Sequence, residues 1–310
     1  MTKARSLVES ALLTGLSVVL FVGTEIPIVG ALLMLLCPVP LVVLEMRHDL
    51  RYGVTSLAVG SILVMLFSGP MMALSYAFGF AILALAMGRI IELRRSAVDI
   101  LFFSSMVALA CELALAVSMF FITGVNSINL DAESMNKIVD TLAPYLGSNP
   151  ETMALLKSQL SLLPLLIPAM FVMTAALNSY ITYFASGLVL KKVSRIDLPK
   201  LPSFSCWRFP QSVLWAYMAS ILCLIGMNWW PAQAELLKRI GLNLKTIVDV
   251  LLLFQGLSFF YWFLEKKGVG RKLRVFLMFV AAFFPALSPL VIYAGLFDMC
   301  WNFRERFNRR

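Results

Sequence analysis

Residues 97–122 read AVDILFFSSMVALACELALAVSMFFI, and this stretch decides the class of fold to which the chain belongs. Its only charged residues are Asp99, close to its start, and Glu112. About 20 consecutive, mainly apolar residues in an α-helix cross the hydrocarbon core of a bilayer, which is about 30 Å thick. The stretch therefore predicts a transmembrane helix with one carboxyl group near its middle.

The whole chain has the same character. Of its 310 residues, 60% are hydrophobic and 14% are charged, and the mean hydropathy is +0.87. A soluble domain has about 25% charged residues, so the excess of apolar side chains must face lipid. This composition excludes a soluble enzyme, a nucleic-acid-binding domain and a secreted disulfide scaffold. Long apolar runs also speak against a β-barrel, so we predict an all-α, polytopic transmembrane bundle.

Eight apolar runs are long enough to be read as clear spans. They divide the chain into a six-span region (1–192), a polar linker (193–210) and a C-terminal membrane region (211–310). An outer loop at 123–159 contains an amphipathic helix at 131–146, which either rests on the outer leaflet or covers an outward-facing pocket. The eight runs are 7–23, 28–46, 53–68, 71–91, 97–122, 160–190, 212–230 and 244–264.

The last apolar stretch, 274–301, is longer than one span needs and short for two. Pro285-Ala286-Leu287-Ser288-Pro289 breaks it near the middle, because proline has no backbone N–H and disfavours a continuous helix. We prefer a re-entrant hairpin over a single kinked ninth span. The hairpin returns the arginine-rich tail to the inside, and places Asp298 close enough to meet Arg304 or another basic residue.

The basic residues indicate the orientation of the chain. With the N-terminus in the cytoplasm, seventeen lysines and arginines fall in inner segments and five in outer segments, leaving aside the four in the tail. This bias follows the positive-inside rule. The net charge of +9 is therefore explained by membrane topology, with no nucleic-acid partner.

The sequence contains no recognisable set of catalytic groups. His48 is the single histidine, so histidine-based metal motifs are impossible, and neither a P-loop nor a G-x-S-x-G elbow occurs. The five cysteines have no C-x-x-C spacing. We therefore predict a protein that is not an enzyme and that has neither a metal nor another cofactor.

Polar residues within the apolar runs are stronger candidates, because they are costly in lipid and often mark binding sites. Glu112 is the leading candidate, and structural hydrogen bonding to a neighbouring helix, with Asn178 as a possible partner, is the alternative. The full set of candidate ligand-binding residues is Glu112, Asn178, Glu25, Asp249 and Gln255.

Small residues at helical spacing mark faces on which helices can approach closely. Two such faces occur, and packing within the chain competes with docking onto another membrane protein. The first face has Ala11 and Gly15, and the second has Ala73, Ala77 and Ala81, continued by Ala84 and Gly88.

Several short motifs resemble the YybS-like family of bacterial membrane proteins, whose function is unknown. They are Cys37-Pro38-Val39-Pro40-Leu41, Arg47-His48, Tyr52-Gly53 and Gly69-Pro70, and near the end Gly295-Leu296-Phe297-Asp298 and Asn302-Phe303-Arg304. The resemblance implies a bacterial inner-membrane location.

The six-span layout of residues 1–192 is also faintly similar to the S components of energy-coupling-factor vitamin transporters. Those proteins use small residues of the first helix to dock a membrane partner, as Ala11 and Gly15 would here. The chain departs from that pattern by the 118 residues that follow. The resulting hypothesis is a non-enzymatic membrane protein that binds or translocates an unidentified small ligand from the outer face. The alternative is a scaffold or assembly protein for another membrane complex.

Overall fold

A computed structural model describes residues 3–304, apart from 94, 124–153, 155–157, 159, 161, 194 and 285. The predicted amphipathic helix at 131–146 lies outside the described residues. Within the part of the chain that is described, the regular structure is entirely helical, as predicted. The α-helices are α1 Lys3–Val22, α2 Val29–Leu36, α3 Val39–Arg47, α4 Leu50–Ser68, α5 Pro70–Tyr76, α6 Ile82–Glu92, α7 Ala97–Thr123, α8 Leu163–Val193, α9 Ser212–Gly226, α10 Ala234–Lys266, α11 Arg271–Phe283 and α12 Ser288–Trp301.

Seven helical segments are long and apolar enough to cross a membrane within the described ranges. The seventh predicted run differs from expectation, because its helix α9 has only 15 residues and rises about 22 Å. Beyond it, α11 and α12 are bent by 109° at the proline-containing break. The seven segments are Lys3–Glu25, Val29–Arg47, Leu50–Ser68, Pro70–Glu92, Ala97–Thr123, Leu163–Val193 and Pro231–Lys266.

Large apolar side chains are exposed along these helices. Leu66, Phe67 and Phe121 have 74%, 73% and 80% of their surface accessible. A soluble monomer rarely leaves apolar surface exposed on this scale, whereas lipid covers it at no cost. The helices therefore present to their surroundings the surface that a membrane-embedded bundle requires.

The chain forms two compact units. The first consists of Met1–Thr141 and Met170–Leu201, and the second of Leu142–Ala169 and Pro202–Arg310. Helix α8 contributes its first turns to the second unit and the remainder to the first.

Helix α3 is the centre of the first unit, where every residue from Val39 to Glu45 is buried. It packs against α1, α4 and α6. The break before α3 follows from Pro40, which has no N–H to donate to the preceding turn. Leu41 N–H then turns to the Pro38 carbonyl, and the Cys37 carbonyl accepts a hydrogen bond from Ser17 Oγ at 2.9 Å.

A short π-helical turn, Ala77–Ala81, lies between α5 and α6. Such turns interrupt the regular i to i+4 hydrogen bonding and leave carbonyl groups free for other donors. The Gly79 carbonyl accepts a hydrogen bond from Asn178 Nδ2 of α8 at 3.1 Å. This contact fixes α8 against the irregular turn.

In the second unit, α10 packs against α9 and α12. A Cβ placed on Gly256 of α10 would lie 2.0 Å from the Val291 carbonyl oxygen of α12. A Cβ placed on Gly295 would in turn lie 2.3 Å from the Leu252 carbonyl oxygen. The two backbones therefore approach more closely than any larger residue would allow.

The second unit also contains a repaired helix break. Pro168 lies inside α8 and disturbs the preceding turn, because its ring displaces the backbone from regular helical bonding. Asn243 of α10 inserts its side chain at this point. Its Nδ2 donates to the Leu165 carbonyl at 2.6 Å, and its Oδ1 accepts from Ala169 N–H at 2.8 Å. One amide thus satisfies two backbone groups that a continuous helix would pair with each other.

Candidate functional site

Glu112 is half-buried on α7, and its partner is a hydroxyl of α8. Thr174 Oγ1 donates to Glu112 Oε2 at 2.8 Å, while the Met170 carbonyl of its own helix lies at 2.9 Å. The prediction that Asn178 is the partner of Glu112 was wrong. Asn178 Nδ2 instead donates to the Gly79 carbonyl of the π turn. The carboxyl group therefore has a polar partner on a neighbouring helix, which the alternative reading of this residue expected.

A row of hydroxyls lies on the buried face of α8, close to Asn178. Ser179, Thr182 and Ser186 occupy positions i, i+3 and i+7, and each is at most 1% exposed. None of the three hydroxyl oxygens has a hydrogen-bond partner among the described residues, and the same holds for buried Ser104 of α7. Sequence reasoning missed this row, although its helical spacing can be read directly. Hydroxyls both donate and accept, so the row offers several unused hydrogen bonds inside the first unit.

The other predicted site residues of the first unit lie apart from this row. Glu25 is exposed in the 3₁₀ turn that follows α1. Ala11 is also exposed, and a Cβ on Gly15 would meet nothing within 4 Å. The buried face of α1 instead carries hydroxyls, with Ser10, Thr14 and Ser17 among them.

The second small-residue face packs within the chain. Ala73 and Ala81 are buried, and Ala77 is half-buried in the π turn. Further along, a Cβ on Gly88 would lie 2.8 Å from Glu45 Cβ. This face therefore has its partners inside the first unit.

Glu45 is a carboxylate that sequence reasoning did not single out. It lies in the last turn of α3 and is 1% exposed. Neither of its carboxylate oxygens has a hydrogen-bond partner among the described residues. The signal that could have revealed its burial is the unbroken apolar run that precedes Glu45 in the sequence.

A separate ionic cluster lies near this end of α3. Arg47 Nη1 donates to Glu9 Oε1 of α1. The Nε2 atom of His48 lies 3.4 Å from Glu9 Oε2, but the geometry is not that of a hydrogen bond. Arg47 is therefore the hydrogen-bonded ion-pair partner of Glu9.

In the second unit, Gln255 and Asp298 form a buried polar cluster with Arg304. Gln255 Nε2 donates to Asp298 Oδ2 at 2.7 Å, and Arg304 Nη2 lies 3.0 Å from the same oxygen. Arg304 also donates to Ser258 Oγ at 3.1 Å and to the Ser205 carbonyl at 2.7 Å. Burial lowers the pKa of Arg304, and the charge of Asp298 opposes that shift. The predicted meeting of Asp298 and Arg304 is confirmed.

A cavity of about 60 Å³ adjoins this cluster. That volume is enough for a few water molecules but not for a vitamin-sized solute. Its lining includes Arg208, Gln211, Gln255, Asp298 and Asn302. Asp249, the remaining predicted residue, forms an ion pair with Lys245 one turn away on α10 and is not part of the cluster.

A family model describing a "Predicted membrane protein (DUF2232)" matches residues 15–299, from the first span to the cluster at Asp298. The chain belongs to the DUF2232 family. A relative from Bacillus subtilis (strain 168), named "Uncharacterized protein YybS", is 26% identical over 317 residues, covering 99% of each chain. The resemblance to the YybS-like family is thereby confirmed. No solved structure shows significant similarity to the chain.

Membership of DUF2232 agrees with the helices described above, and the protein is a multi-pass membrane protein. The family has no assigned function, so it supplies neither a reaction nor a ligand. Among the described residues of this DUF2232 protein, no group of three or more His, Cys, Asp or Glu side chains could hold a metal ion.

Proposed function

We propose that this DUF2232 protein is a non-enzymatic protein of the bacterial cytoplasmic membrane that binds a small polar ligand and passes it inward from the outer face. The observation that carries the proposal is the row of buried hydroxyls on α8, Ser179, Thr182 and Ser186, which have no partner among the described residues. Buried polar groups are normally paired, so an unpaired row in a membrane bundle indicates a ligand-binding role.

Asn178 directly precedes this row on α8 and is held by the Gly79 carbonyl. Glu112 of α7 bonds to Thr174, nearer the start of α8. The amide and the three hydroxyls supply both donors and acceptors, which suits a neutral ligand with several polar groups.

The orientation of the protein is part of the proposal. The charge bias supports a cytoplasmic location for the N-terminus and the linker 193–210. An energy-coupling membrane protein is the proposed partner. Ala11 and Gly15 support this role, since Ala11 is exposed and the space beside Gly15 is open.

The experiment is a ligand screen with the full-length protein in detergent micelles. Water-soluble vitamins, nucleobases and amino acids are added in turn, and thermal unfolding is followed by tryptophan fluorescence. A ligand that binds only the folded state raises the unfolding temperature. The matched variants are Thr182→Val, which removes a row hydroxyl with little change of volume, and Ser118→Ala as control. Among the described residues, the Ser118 hydroxyl of α7 bonds to its own helix, at the Ala114 carbonyl.

We expect one compound class to stabilise the wild type, with Thr182→Val weakening its affinity about tenfold, the equivalent of one hydrogen bond of about 1.4 kcal/mol. Ser118→Ala is expected to bind as the wild type does. Equal binding by Thr182→Val would place the ligand elsewhere. If none of the compounds stabilises the protein, the scaffold alternative is the better reading.

A further inference from the structure

The side chain of Glu45 packs against two glycines, whose lack of a side chain leaves space for it. A Cβ on Gly53 of α4 would lie 2.3 Å from Glu45 Oε2 and 3.1 Å from Leu85 Cδ2. A Cβ on Gly88 of α6 would lie 2.8 Å from Glu45 Cβ. Glu45 Oε2 therefore packs against the backbone of Gly53, and neither carboxyl oxygen has a hydrogen-bond partner among the described residues.

Among the described residues, no charged group contacts the carboxyl of Glu45 directly. The charged groups near enough to act on its charge are Arg89, Glu92 and Asp49. Arg89 donates to Glu92, and both side chains of that pair are about half exposed. On α1, Glu9 is held by Arg47, and at the start of α4, Arg51 is exposed.

We propose that the Glu45 carboxyl is a proton-binding site that exchanges with solvent at the end of the bundle that carries Arg47 and His48. A buried carboxylate without a contacting cation or donor is unfavourable, so the group takes a proton from water and holds it as a neutral acid. The carboxylate oxygen forms an O–H bond as hydronium loses its proton and becomes water, and the reverse step returns the proton to water. The exchange path is short, because Arg47 is two residues away and exposed.

The occupant is a proton and not a metal cation. Cations such as Na⁺ or Ca²⁺ need several oxygen ligands around them, as the six to eight oxygens of calcium sites show. Among the described residues, no group of three or more His, Cys, Asp or Glu side chains could hold a metal ion, and neither oxygen of Glu45 has a hydrogen-bond partner. This proposal concerns different residues from the hydroxyl row of α8 and does not depend on it.

Infrared difference spectroscopy of the full-length protein in lipid nanodiscs tests the proposal. The C=O stretch of a protonated carboxyl is recorded while the pH is raised, for the wild type, Glu45→Gln and Glu235→Gln. Glu235 is the control, since it is an exposed glutamate at the start of α10 and is not among the groups that act on the charge of Glu45. We expect a band that falls in intensity as the pH rises, that is absent from Glu45→Gln, and that is unchanged in Glu235→Gln.

Three outcomes would overturn the proposal. The first is a Glu45 band that neither titrates nor shifts in D₂O, which would mean a sealed structural acid. The second is the same spectrum in the wild type and in Glu45→Gln. The third is a band that NaCl removes at constant pH while choline chloride does not, which would mean a sodium site.

If Glu45→Gln fails to fold, Gly53→Ala replaces it. Its methyl group would collide with Oε2, so the band is expected to move, and an unmoved band would contradict the placement of the carboxyl.

Discussion

Arg304 and Asp298 form a buried ion pair in the second unit, with Nη2 and Oδ2 3.0 Å apart and each side chain 3% exposed. The pair also connects segments that are distant along the chain. Arg304 donates to the Ser205 carbonyl of the linker, and Asp298 accepts from Gln255 of α10. Neighbouring groups thus bond to both side chains, and such added hydrogen bonds help a buried pair to offset its desolvation.

Removing one member of this pair is expected to be costly. Arg304→Met leaves the Asp298 charge buried without its counterion, and breaking a buried pair in this way costs about 3–5 kcal/mol. The control is Lys191→Met, because the pair between Lys191 and Asp197 is about two-thirds exposed and such pairs contribute little. Urea unfolding in mixed micelles measures both. Equal losses of unfolding free energy in the two variants would show that the buried pair contributes no more to stability than the exposed pair.

The amide of Asn243 is expected to be needed where α8 is interrupted by Pro168. Asn243→Leu leaves Ala169 N–H and the Leu165 carbonyl without their partner and should lower the free energy of unfolding by about 1–3 kcal/mol. Thr246→Val is the control, because the Thr246 hydroxyl bonds to Leu242 within the same helix. Asn243→Asp keeps the acceptor but loses the donor, so an intermediate loss is expected. A loss no larger than that of Thr246→Val would be the contrary result.

Alanine should have opposite effects at two kinds of helical glycine. Gly256→Ala and Gly295→Ala introduce a methyl group against backbone atoms of the facing helix, and overpacking of this kind costs about 1–3 kcal/mol. Gly15→Ala meets no atom within 4 Å and should stabilise α1 by up to about 1 kcal/mol. Thermal unfolding of the three variants in one detergent is the measurement. Destabilisation by Gly15→Ala would mean that this face is already occupied.

Glu112→Gln is expected to fold as the wild type does, because its amide offers an oxygen to the Thr174 hydroxyl. Glu112→Leu should lose less than about 1 kcal/mol, since Thr174 can turn its hydroxyl to the Met170 carbonyl at 2.9 Å. Denaturant unfolding in micelles gives both values. A loss of several kcal/mol for Glu112→Leu would instead reveal a further partner of the carboxyl.

The topology is tested by cysteine labelling in intact cells, with the native cysteines removed. Single cysteines before Lys3, within the linker 193–210 and after Arg310 are expected to resist a membrane-impermeant thiol reagent until the membrane is permeabilised. Labelling of either of the first two in intact cells would reverse the orientation. Labelling of the third alone would mean a single ninth span and not a re-entrant hairpin.

Helix formation and the membrane environment could be predicted from local sequence. The run 97–122 became α7, and the proline-containing break in the last apolar stretch separates α11 from α12. The pairing of Asp298 with Arg304 was within reach because the two residues are six apart, so the chain itself limits their separation. These features depend on interactions within one helix or one short segment.

Contacts between helices could not be predicted from the local sequence. The partner of Glu112 lies 62 residues away in the sequence. Asn178 bonds to the π turn and not to Glu112, and no sequence pattern predicts that turn. The shorter α9 follows from where its helix ends, at Gly226, and not from the apolar run, which continues.

The sequence by itself determined that this is a multi-pass helical protein, because apolar length and the need to satisfy every backbone N–H and C=O in lipid leave few other solutions. Only the tertiary structure decided which polar side chains are paired and which are enclosed alone. Glu45 shows the reason. Its position beside Arg47 indicates an interface, and it is the approach of α4 and α6 through Gly53 and Gly88 that closes the space around its carboxyl group.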